Sequence, residues 1–592
     1  MSGNEKWVVT AKRGDFYGLA EKFGLDPVVI RLMVNRGVDT EEAIRKYLYG
    51  GLADLHDPLG LKDAGKAADL LQAAVDRGER IVIASDFDVD GIFSGMILYT
   101  GLTRIGGKAE IKTPHRVWEG YGLNRRIVDE ALEEGAGLLI TCDNGIAAFD
   151  ALEYARDRGL PAIVTDHHEL AYDEDGAGVR TYRTPPALAI VNPKQPDCPY
   201  PFSGLCGAGV AFKLIQILYR RNKVPEAELR PLLEYTAIAT VADVMDLTDE
   251  NRILVREGLK LLCRTQNPGL QALISVNQLE GARLSAYHIG FVLGPCFNAA
   301  GRLADVRPAL DLLQARTAAE AEPLARQLKE MNDSRKDMTA RGVEQAVEKI
   351  ETTDLKNDKV LLVPLEDCHE SLAGIIAGRI RERYNRPAIV LTAVADGYKG
   401  SGRSIEAYHM FDRLQACRPL LSRFGGHAMA AGISLPTENL PALREQLNRQ
   451  CGLTEEDLRP VVRIDVAMPV RYLSEELVRQ LEELEPFGKA NPKPLFAERE
   501  FRIRRAAVLG RNRNTLKMAV AGEGGACVDA LFFGEIEDFQ EEAAARFGKA
   551  EWEKALRGEP SCVRASFTYY PSINEYRGMR TLQIVVQNYR FL

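Results

Sequence analysis

Residues 80–91 read RIVIASDFDVDG, a β-branched run that leads directly into three alternating aspartates and a glycine. The run is typical of a buried strand, and the apolar-rich segment 92–105 behind it predicts a helix. The strand pattern returns at 138–141 and 162–165, with helical periodicity over 124–134 between them. Strands that alternate with helices predict a parallel sheet covered on both faces, so we expect an α/β fold.

Further domains are expected outside this sheet, because 592 residues are too many for one hydrophobic core. A long charged segment at about 308–350 has helical periodicity, the pattern after Val461 is mostly strands, and a charged helical insert is expected near 535–557. The predicted domains are an N-terminal helical segment (1–75), a parallel-sheet domain (76–265), a helical connector (266–352), a second α/β domain (353–455) and a C-terminal β-rich domain (456–592).

The composition is that of an ordinary globular protein, with 46% hydrophobic and 27% charged residues. No apolar run approaches the roughly 18 residues that span a bilayer, and the N-terminus has no apolar signal core. We therefore expect a cytoplasmic protein without a membrane anchor.

The ten cysteines include no CxxC pair and are typical of small core residues in a reducing compartment. The net charge of −8 argues against a protein that coats nucleic acid, but it does not exclude a nuclease with acidic metal ligands.

A calcium-binding EF-hand loop is one alternative for residues 86–91, because it shares their Asp-x-Asp-x-Asp-Gly spacing. That loop needs a glutamate at its twelfth position, where this chain has Ile97, and a helix before it rather than a strand. The calcium-loop interpretation therefore fails. A single aspartate at a strand-to-helix turn, such as Asp90, is more often a helix cap than a ligand.

Polar side chains follow three strands of the predicted sheet, at residues 86–90, 143–145 and 166–169, and Asp243 ends an apolar helical run. In an open parallel sheet, ligands bind at the carboxyl ends of the strands. Two carboxylates 4 Å apart repel each other by about 4 kcal/mol at an effective dielectric constant near 20, so a cluster of them needs cations. The sequence therefore predicts one or two divalent ions bound by oxygen and imidazole.

These motifs, in this order, resemble those of the DHH phosphoesterase superfamily and, within it, the RecJ-like exonucleases that are specific for single-stranded DNA. The resemblance covers nearly all of residues 50–592. Further matching motifs are Pro114-His115-Arg116, Gly120–Asn124, Leu205–Ala211, Asn298–Leu303, His369-Glu370, Gly374–Ala377, Gly400–Ser404, Gly425-Gly426-His427, Pro486-Phe487-Gly488 and Asn491-Pro492. The resemblance implies a DHH domain and a DHHA1 domain that face each other across a cleft and are joined by a long helix, with a C-terminal OB-like barrel.

The resemblance also implies two divalent metal ions, Mn²⁺ or Mg²⁺, and the residues that would bind them. The implied ligands are Asp88, Asp90, Asp143, His167 and Asp243. Asp86 would lie behind these ligands or position a water molecule, and His168 would face the scissile phosphate.

The residues implied to hold DNA lie in several domains. Arg116, Ser401 and Arg403 would hold a 5′ phosphate, which implies 5′→3′ degradation to 5′-mononucleotides. Arg302 and His427 would contact the DNA backbone. Arginine suits these positions because its planar fork binds phosphate through two hydrogen bonds.

The C-terminal β-rich domain carries a basic stretch that is typical of a single-strand-binding surface. Its members are Arg499, Arg502, Arg504, Arg505, Arg511, Arg513 and Lys517. Aromatic residues of the same domain are either rings that stack on bases or part of the core, and the sequence favours neither interpretation. They are Phe532, Phe533, Tyr569, Tyr570 and Tyr576.

The chain departs from the family pattern at 173–186, where the loop is longer than usual, and at Cys368, where tryptophan is frequent. One alternative function is that of a phosphodiesterase that cleaves short oligonucleotides or cyclic dinucleotides, or of a pyrophosphatase. These relatives lack the domain after about 461. An alternative of another class is a non-catalytic scaffold of a replication complex, but such proteins have generally lost metal ligands that are present here.

The resemblance favours a monomeric enzyme of DNA repair and recombination, with single-strand-binding protein and a helicase as partners.

Overall fold

A computed structural model describes residues 5–115, 119–175, 178–303, 305–510, 512–576 and 578–592, with the backbone alone at Leu303 and Tyr576. The chain forms two compact units. The central unit consists of Tyr49–Ala340 and Pro486–Asn491. The terminal unit contains both ends of the chain and consists of Met1–Leu48, Arg341–Glu485 and Pro492–Leu592.

The first elements are a strand and three helices: β1 (Lys6–Val9), α1 (Phe16–Phe23), α2 (Pro27–Asn35) and α3 (Glu41–Tyr49). The sequence predicts only helices here, so β1 is a correction. It pairs in parallel with residues 461–464, which the local pattern could not reveal because the partner lies far along the chain.

The central unit begins with a β/α region. Its elements are α4 (Ala64–Asp76), β2 (Arg80–Ser85), α5 (Val89–Arg104), β3 (Lys108–Lys112), α6 (Arg125–Glu133), β4 (Ala136–Cys142), α7 (Phe149–Asp157), β5 (Ala162–Thr165), β6 (Tyr172–Glu174), β7 (Arg180–Tyr182) and β8 (Ala189–Val191). Five strands form one sheet in the order β3-β2-β4-β5-β8, and every neighbouring pair is parallel. The predicted parallel sheet is therefore confirmed, and the carboxyl ends of β2, β4 and β5 lie side by side.

Alternate residues of β2 are buried on opposite faces of this sheet. Ile81 and Ile83 pack into one hydrophobic cluster, whereas Val82 and Ala84 pack into another. Because both faces are covered at β2, its residues 81–84 are all apolar rather than alternating with polar residues. The predicted long loop at 173–186 contains a short antiparallel hairpin of β6 and β7.

The rest of the central unit is helical. Its elements are α8 (Gly207–Arg221), α9 (Leu232–Ala242), α10 (Asp249–Leu262), α11 (Pro268–Val276), α12 (Ala286–His288), a π-helical turn (Ile289–Leu293), α13 (Gly294–Leu303) and α14 (Arg307–Gln314). The long charged helix predicted from the sequence is α15 (Ala318–Thr352), which extends into the terminal unit. Among the described residues, no helix is long and apolar enough to cross a membrane.

The terminal unit continues with a second α/β region. Its elements are β9 (Leu361–Leu365), α16 (Ala373–Tyr384), β10 (Ala388–Val394), β11 (Gly397–Arg403), α17 (Met410–Gln415), β12 (Arg423–His427), β13 (Ala430–Leu435) and α18 (Leu440–Arg449). The sheet order is β12-β13-β11-β10-β9, and only the β9–β10 pair is parallel.

The last part of the terminal unit contains a closed barrel and, before it, a strand that pairs with β1. Its elements are β14 (Val461–Ile464), β15 (Val466–Ala467), α19 (Glu475–Glu482), β16 (Phe496–Leu509), β17 (Thr515–Ala521), β18 (Cys527–Phe532), α20 (Ile536–Phe547), α21 (Lys549–Arg557), β19 (Arg564–Tyr576) and β20 (Met579–Phe591). The strand order is β15-β16-β17-β18-β20-β19, and a further pairing of β16 with β19 closes the sheet on itself. The predicted strand-rich domain and its helical insert are confirmed.

Candidate metal centre and nucleic-acid interface

The loop between β2 and α5 holds its aspartates by backbone hydrogen bonds. Asp86 Oδ1 accepts the N–H of Phe87 at 2.7 Å, and Asp88 caps α5 by accepting the N–H of Gly91 at 3.1 Å. A Cβ on Gly91 would lie 2.4 Å from the carbonyl oxygen of Asp86. Glycine is therefore required at the end of the motif because the turn brings the backbone back against itself.

Asp90 lies in the first turn of α5 but interacts with the N-terminus of another helix. Its carboxylate accepts the N–H groups of Gly207 at 2.6 Å and Ala208 at 2.8 Å, both at the start of α8. The unpaired N–H groups and the dipole at a helix N-terminus stabilise an anion. Asp90 is therefore a cap, although for a different helix from the one that the sequence suggested, and its carboxylate also faces the cluster described next.

Asp143 follows β4 in a left-handed conformation, with φ of 61°. The next residue, Asn144, fixes this turn by donating to the carbonyls of Ala84 at 3.0 Å and Cys142 at 2.8 Å. A Cβ on Gly207 would lie 2.7 Å from Asp143 Cβ, so the start of α8 packs directly on this aspartate. The ends of β2 and β4 and the start of α8 are thus held together around Asp143.

His167, after β5, is the point where the carboxylates converge. Its Nε2 lies 3.0 Å from Asp143 Oδ1, 3.5 Å from Asp90 Oδ2 and 3.7 Å from Asp243 Oδ2. Asp243 is the C-terminal cap of α9. Two groups of side chains have ligand atoms within 4.8 Å of one another: Asp143, His167 and His168, and Asp90, His167 and Asp243. Four of the five predicted ligands belong to these two groups. Asp88 caps α5 and belongs to neither group, but its side chain hydrogen-bonds to that of Asp143.

Asp166 orients both histidines. Its Oδ1 accepts the N–H groups of His167 at 2.7 Å and His168 at 3.1 Å, and it lies 2.8 Å from His168 Nδ1. Its Oδ2 accepts the N–H of Ile146 at 2.9 Å. Burial disfavours the protonated form of His168, but the hydrogen bond and charge of Asp166 outweigh it and raise the pKa of His168 to about 9. Asp166 belongs to the motif after β5, but the sequence alone assigns it no role.

The cluster has more negative charge than its surroundings can stabilise. Burial, followed by the charge of Asp90, raises the pKa of Asp143 well above its ordinary range and that of Asp243 to about 8. Burial, the largest cause, and the charge of Asp90 also raise the pKa of Asp88. Burial lowers the pKa of His167, which favours the neutral ring that a metal ligand must present.

Unused hydrogen-bonding atoms show that the cluster suits a cation. Asp143 Oδ1 and both ring nitrogens of His167 are buried and have no hydrogen-bond partner among the described residues. Buried polar atoms without a partner are rare and call for an explanation such as a bound ion. Carboxylate oxygens with one imidazole are donors that suit Mn²⁺ and also fit Mg²⁺. The residues present therefore fit the predicted divalent metal.

Ser401, Arg403 and His427 lie on one face of the sheet in the terminal unit. Arg403 donates to Ser401 Oγ at 2.9 Å, and a Cβ on Gly374, at the start of α16, would lie within 3.0 Å of both side chains. Arg403 and His427 both pair with Ala430 across β13. A helix N-terminus beside serine and arginine is a suitable site for a phosphate.

Glycines line this face next to Ser401. Ser401 pairs with Gly432, which in turn pairs with Gly425, and a Cβ on either glycine would meet nothing within 4 Å. Glycine in a strand often marks the close approach of a ligand. Of the other residues predicted to hold DNA, Arg302 is half-buried in the last turn of α13, and Arg116 lies outside the described residues.

The basic stretch of the barrel is only partly available to a ligand. A bulge between Ile503 and Arg505 leaves Arg502, Arg504 and Arg505 all exposed on β16, and Arg513 is exposed in the following turn. Lys517 pairs with Asp529 at 2.8 Å. Arg511 lies outside the described residues.

The aromatic residues of the barrel separate into core and surface. Phe532 and Tyr569 are buried, and the hydroxyl of Tyr569 donates to the carbonyl of Met468. The core interpretation is therefore correct for these two. Phe533 is 59% exposed, and Lys493 Nζ lies 3.4 Å from the ring centroid of Tyr570. The ring of Tyr576 lies outside the described atoms.

Comparison with known proteins gives three family matches. The DHH family N-terminal domain matches residues 80–240, the DHHA1 domain 357–452 and the RecJ OB domain 464–588. The single-stranded-DNA-specific exonuclease RecJ of Dickeya dadantii is 33% identical over 588 residues, which cover 95% of this chain and 96% of that protein. This chain belongs to the RecJ family.

Other RecJ proteins are also similar to this chain, but they match different shares of its length and of their own. The Bacillus subtilis RecJ, also named a single-stranded-DNA-specific exonuclease, is 36% identical over 88% of this chain, which spans 65% of that relative's length. The RecJ of Thermus thermophilus solved with Mn²⁺ has a TM-score of 0.81 and 26% identity, covering 100% of this chain and 80% of that one. The same protein solved with Mg²⁺ has a TM-score of 0.75 and 25% identity, covering 99% and 78%. The predicted metals, Mn²⁺ or Mg²⁺, are therefore those found in RecJ structures.

Proposed function

We propose that this chain is a divalent-metal-dependent exonuclease specific for single-stranded DNA, which works in the 5′→3′ direction and releases 5′-mononucleotides. The observation that carries the proposal is the convergence of Asp90, Asp143 and Asp243 on His167, with buried ligand atoms that have no hydrogen-bond partner among the residues described. Membership of the RecJ family supports the substrate and the reaction class.

Asp88, Asp90, Asp143, His167 and Asp243 would hold two divalent ions, Mn²⁺ or Mg²⁺. When bound, such ions supply Lewis acidity, a water molecule of lowered pKa and compensation for charge that develops on the phosphate. The start of α8 orients Asp90, and the turn at Asn144 orients Asp143, so these ligands are in place before anything binds.

His168 and Asp86 have different roles in the proposal. In the metal-free protein the pKa of His168 is about 9, and its exposed ring would donate a hydrogen bond to a phosphate oxygen. Asp86 is buried behind the loop, where its carboxylate holds the backbone of Phe87 and positions the residues that follow.

The direction of degradation depends on where the 5′ end is held. Arg116, Ser401 and Arg403 would bind the 5′ phosphate, and Arg302 and His427 would bind the following backbone. The glycine-lined face beside Ser401 lets a strand approach closely. The exposed arginines Arg502, Arg504, Arg505 and Arg513, with Arg511 and Lys517, would bind the strand farther from its 5′ end.

The proposed setting is DNA repair and recombination in the cytoplasm. A monomer would receive its substrate from a helicase that unwinds duplex ends, and single-strand-binding protein would be a second partner. The family resemblance suggests both partners. The helicase also fits the reaction, because an enzyme restricted to single strands needs duplex to be opened.

Digestion of single-stranded DNA that carries an internal label and either a free or a blocked 5′ end tests the proposal. We expect mononucleotides from the free end with Mn²⁺ or Mg²⁺, none with EDTA and none from the Asp143→Ala variant. Release from the 3′ end would contradict the direction. Activity confined to very short oligomers or cyclic dinucleotides would indicate a smaller phosphodiesterase, and no cleavage with any metal would indicate a scaffold.

A further inference from the structure

Two aromatic rings of the central unit are exposed outside the carboxylate cluster. Tyr287 is 63% and Phe291 64% exposed, and their rings stack with centroids 5.0 Å apart and planes 27° apart. Most of each side chain remains exposed, although the ring of His288 also lies with its centroid 5.7 Å from that of Tyr287. Large apolar groups that are exposed side by side often mark a binding surface.

The backbone beneath the rings is a π-helical turn, Ile289–Leu293, between α12 and α13. Ile289 and Leu293 are fully buried, so the turn is anchored in the core while Phe291 points away from it. π-helical turns are rare, and they occur frequently at functional sites.

This turn packs against the elements that form the carboxylate cluster. A Cβ on Gly290 would lie 3.7 Å from Val241, and one on Gly294 would lie 3.4 Å from Ala242, the last residue of α9 before Asp243. The rings therefore lie on a segment that is in contact with the helix end carrying a predicted ligand.

The following helix, α13, contacts the aspartate loop itself. Asn298 Oδ1 accepts the N–H of Val89 at 3.3 Å, and a Cβ on Gly301 would lie 2.5 Å from the carbonyl oxygen of Phe87. One continuous segment thus connects the exposed rings to both the β2–α5 loop and the end of α9.

Val244, directly after Asp243, is a second unusual residue here. It has φ of 56° and is 60% exposed. A β-branched residue rarely adopts the left-handed conformation, and such strain persists mainly at catalytic sites and ligand clamps.

We propose that Tyr287 and Phe291 form a stacking platform for nucleobases of the single strand whose phosphodiester bonds reach the carboxylate cluster. This inference rests on the proposed function. Stacking suits an enzyme that must degrade strands of any sequence, because every base offers a π-face and no base edge has to be recognised. A pair of rings is far smaller than the roughly 1,000 Å² of a specific protein–protein interface, so a protein partner is the less favoured occupant.

The first test is the affinity for a fluorescein-labelled single-stranded oligonucleotide in EDTA, measured by fluorescence anisotropy. We expect the Tyr287→Ala/Phe291→Ala variant to bind about 5- to 150-fold more weakly, which is the effect of losing one stacked base. Tyr287→Phe should retain the affinity because the ring remains. Tyr49→Ala, which removes another exposed ring (57%) of the same unit, is the matched control and should bind normally.

An oligonucleotide with abasic sites separates stacking from an indirect structural effect. The unsubstituted protein and the double variant should bind this strand equally, because it offers no bases to stack on. In turnover with Mn²⁺, the loss in kcat/KM should arise mainly in KM. An unchanged affinity for ordinary DNA, an equal loss on the abasic strand, or a loss mainly in kcat would overturn the inference. If the unsubstituted protein neither binds single-stranded DNA nor degrades it with Mn²⁺, the proposed function itself fails.

Discussion

Asp166 is not one of the predicted metal ligands, but it holds His167, which is one, and the neighbouring His168 in place. Its two carboxylate oxygens receive the backbone N–H groups of both histidines and of Ile146, and they also contact the ring of His168. The neighbouring Asp143 has an oxygen with no such partner among the described residues. Two strand-end aspartates that look alike in the sequence therefore differ in role: one positions the histidines, and the other is available to a cation.

Replacing Asp166 with asparagine should separate these roles. We expect kcat to fall about 10- to 100-fold, the usual effect of losing a residue that orients metal ligands. The pKa of His168 in the metal-free protein should also fall from about 9, because the carboxylate that raises it is gone. NMR titration of His168 measures this shift. Glu169→Gln is the matched control, since Glu169 is 70% exposed and pairs with Lys194; normal activity in Asp166→Asn would contradict the role.

A buried ion pair gives a second prediction at this scale. Lys213 on α8 and Glu250 on α10 form a fully buried pair, and Lys213 also donates to the carbonyl of His56 at 2.9 Å. Lys213→Met should cost about 3–5 kcal/mol of the free energy of unfolding, because Glu250 is left buried without its cation. Urea unfolding measures the loss. The Lys213→Met/Glu250→Gln variant should lose less than the two single variants together, and a loss below about 1 kcal/mol in the single variant would count against the prediction.

The sequence identified ligand candidates from their place at strand ends, and Asp90, Asp143, His167 and Asp243 do lie together. It could not assign Asp166, because hydrogen bonding rather than residue type distinguishes it from a ligand. It also could not separate Phe532 and Tyr569, which are buried, from Phe533, which is exposed. Phe532 ends β18 and Phe533 follows it, and which of two neighbouring rings faces the core depends on how the strand is placed in the barrel.

Among the elements, the turn from β2 into α5 depends most on one residue type. Gly91→Ala would place a Cβ 2.4 Å from the carbonyl oxygen of Asp86, so the loop must move. We expect a loss of about 1–3 kcal/mol in stability together with the loss of Mn²⁺ binding. Isothermal titration with Mn²⁺ and urea unfolding measure the two effects.

The control for this substitution is another glycine in the first turn of a helix. A Cβ on Gly65, in α4, would meet nothing closer than 3.7 Å. Gly65→Ala should therefore bind Mn²⁺ normally and gain up to about 1 kcal/mol from the better helix propensity of alanine. If both variants bind Mn²⁺ equally, the close contact at Gly91 is not what fixes the loop.

The sheet of the central unit could be predicted because each strand and the helix after it are adjacent in the sequence. The elements that the sequence missed lack this local signal. β1 pairs with a strand far along the chain, and the hairpin of β6 and β7 has only three residues in each strand. The π-helical turn at Ile289–Leu293 has the same kind of apolar spacing as an α-helix, and only its hydrogen bonds distinguish it.

For the whole molecule, metal should act as a stabilising ligand. Burial and mutual repulsion raise the pKa of the clustered carboxyls in the folded protein, and a bound cation would stabilise their ionised form. At a Mn²⁺ concentration about 100 times the Kd, we expect a gain of about 2.7 kcal/mol per site and a higher Tm. Differential scanning calorimetry with Mn²⁺ or EDTA measures the change. Asp143→Ala should show little of it; an equal rise in that variant would place the bound metal elsewhere.

The pairing of β1 with β14 affects how the protein is made. Lys6 on β1 and Glu456, just before β14, form an ion pair 450 positions apart, and Glu5 also contacts Asn588 and Arg590 on β20. A ribosome that adds roughly 5–20 residues per second needs about 20–90 s to cover such a distance. During that time most of the central unit leaves the ribosome and can fold, whereas β14, the partner strand of β1, has not yet been synthesised. We therefore expect Tyr49–Ala340 of the central unit to fold first on the nascent chain, and the barrel to close only after β20 has left the ribosome.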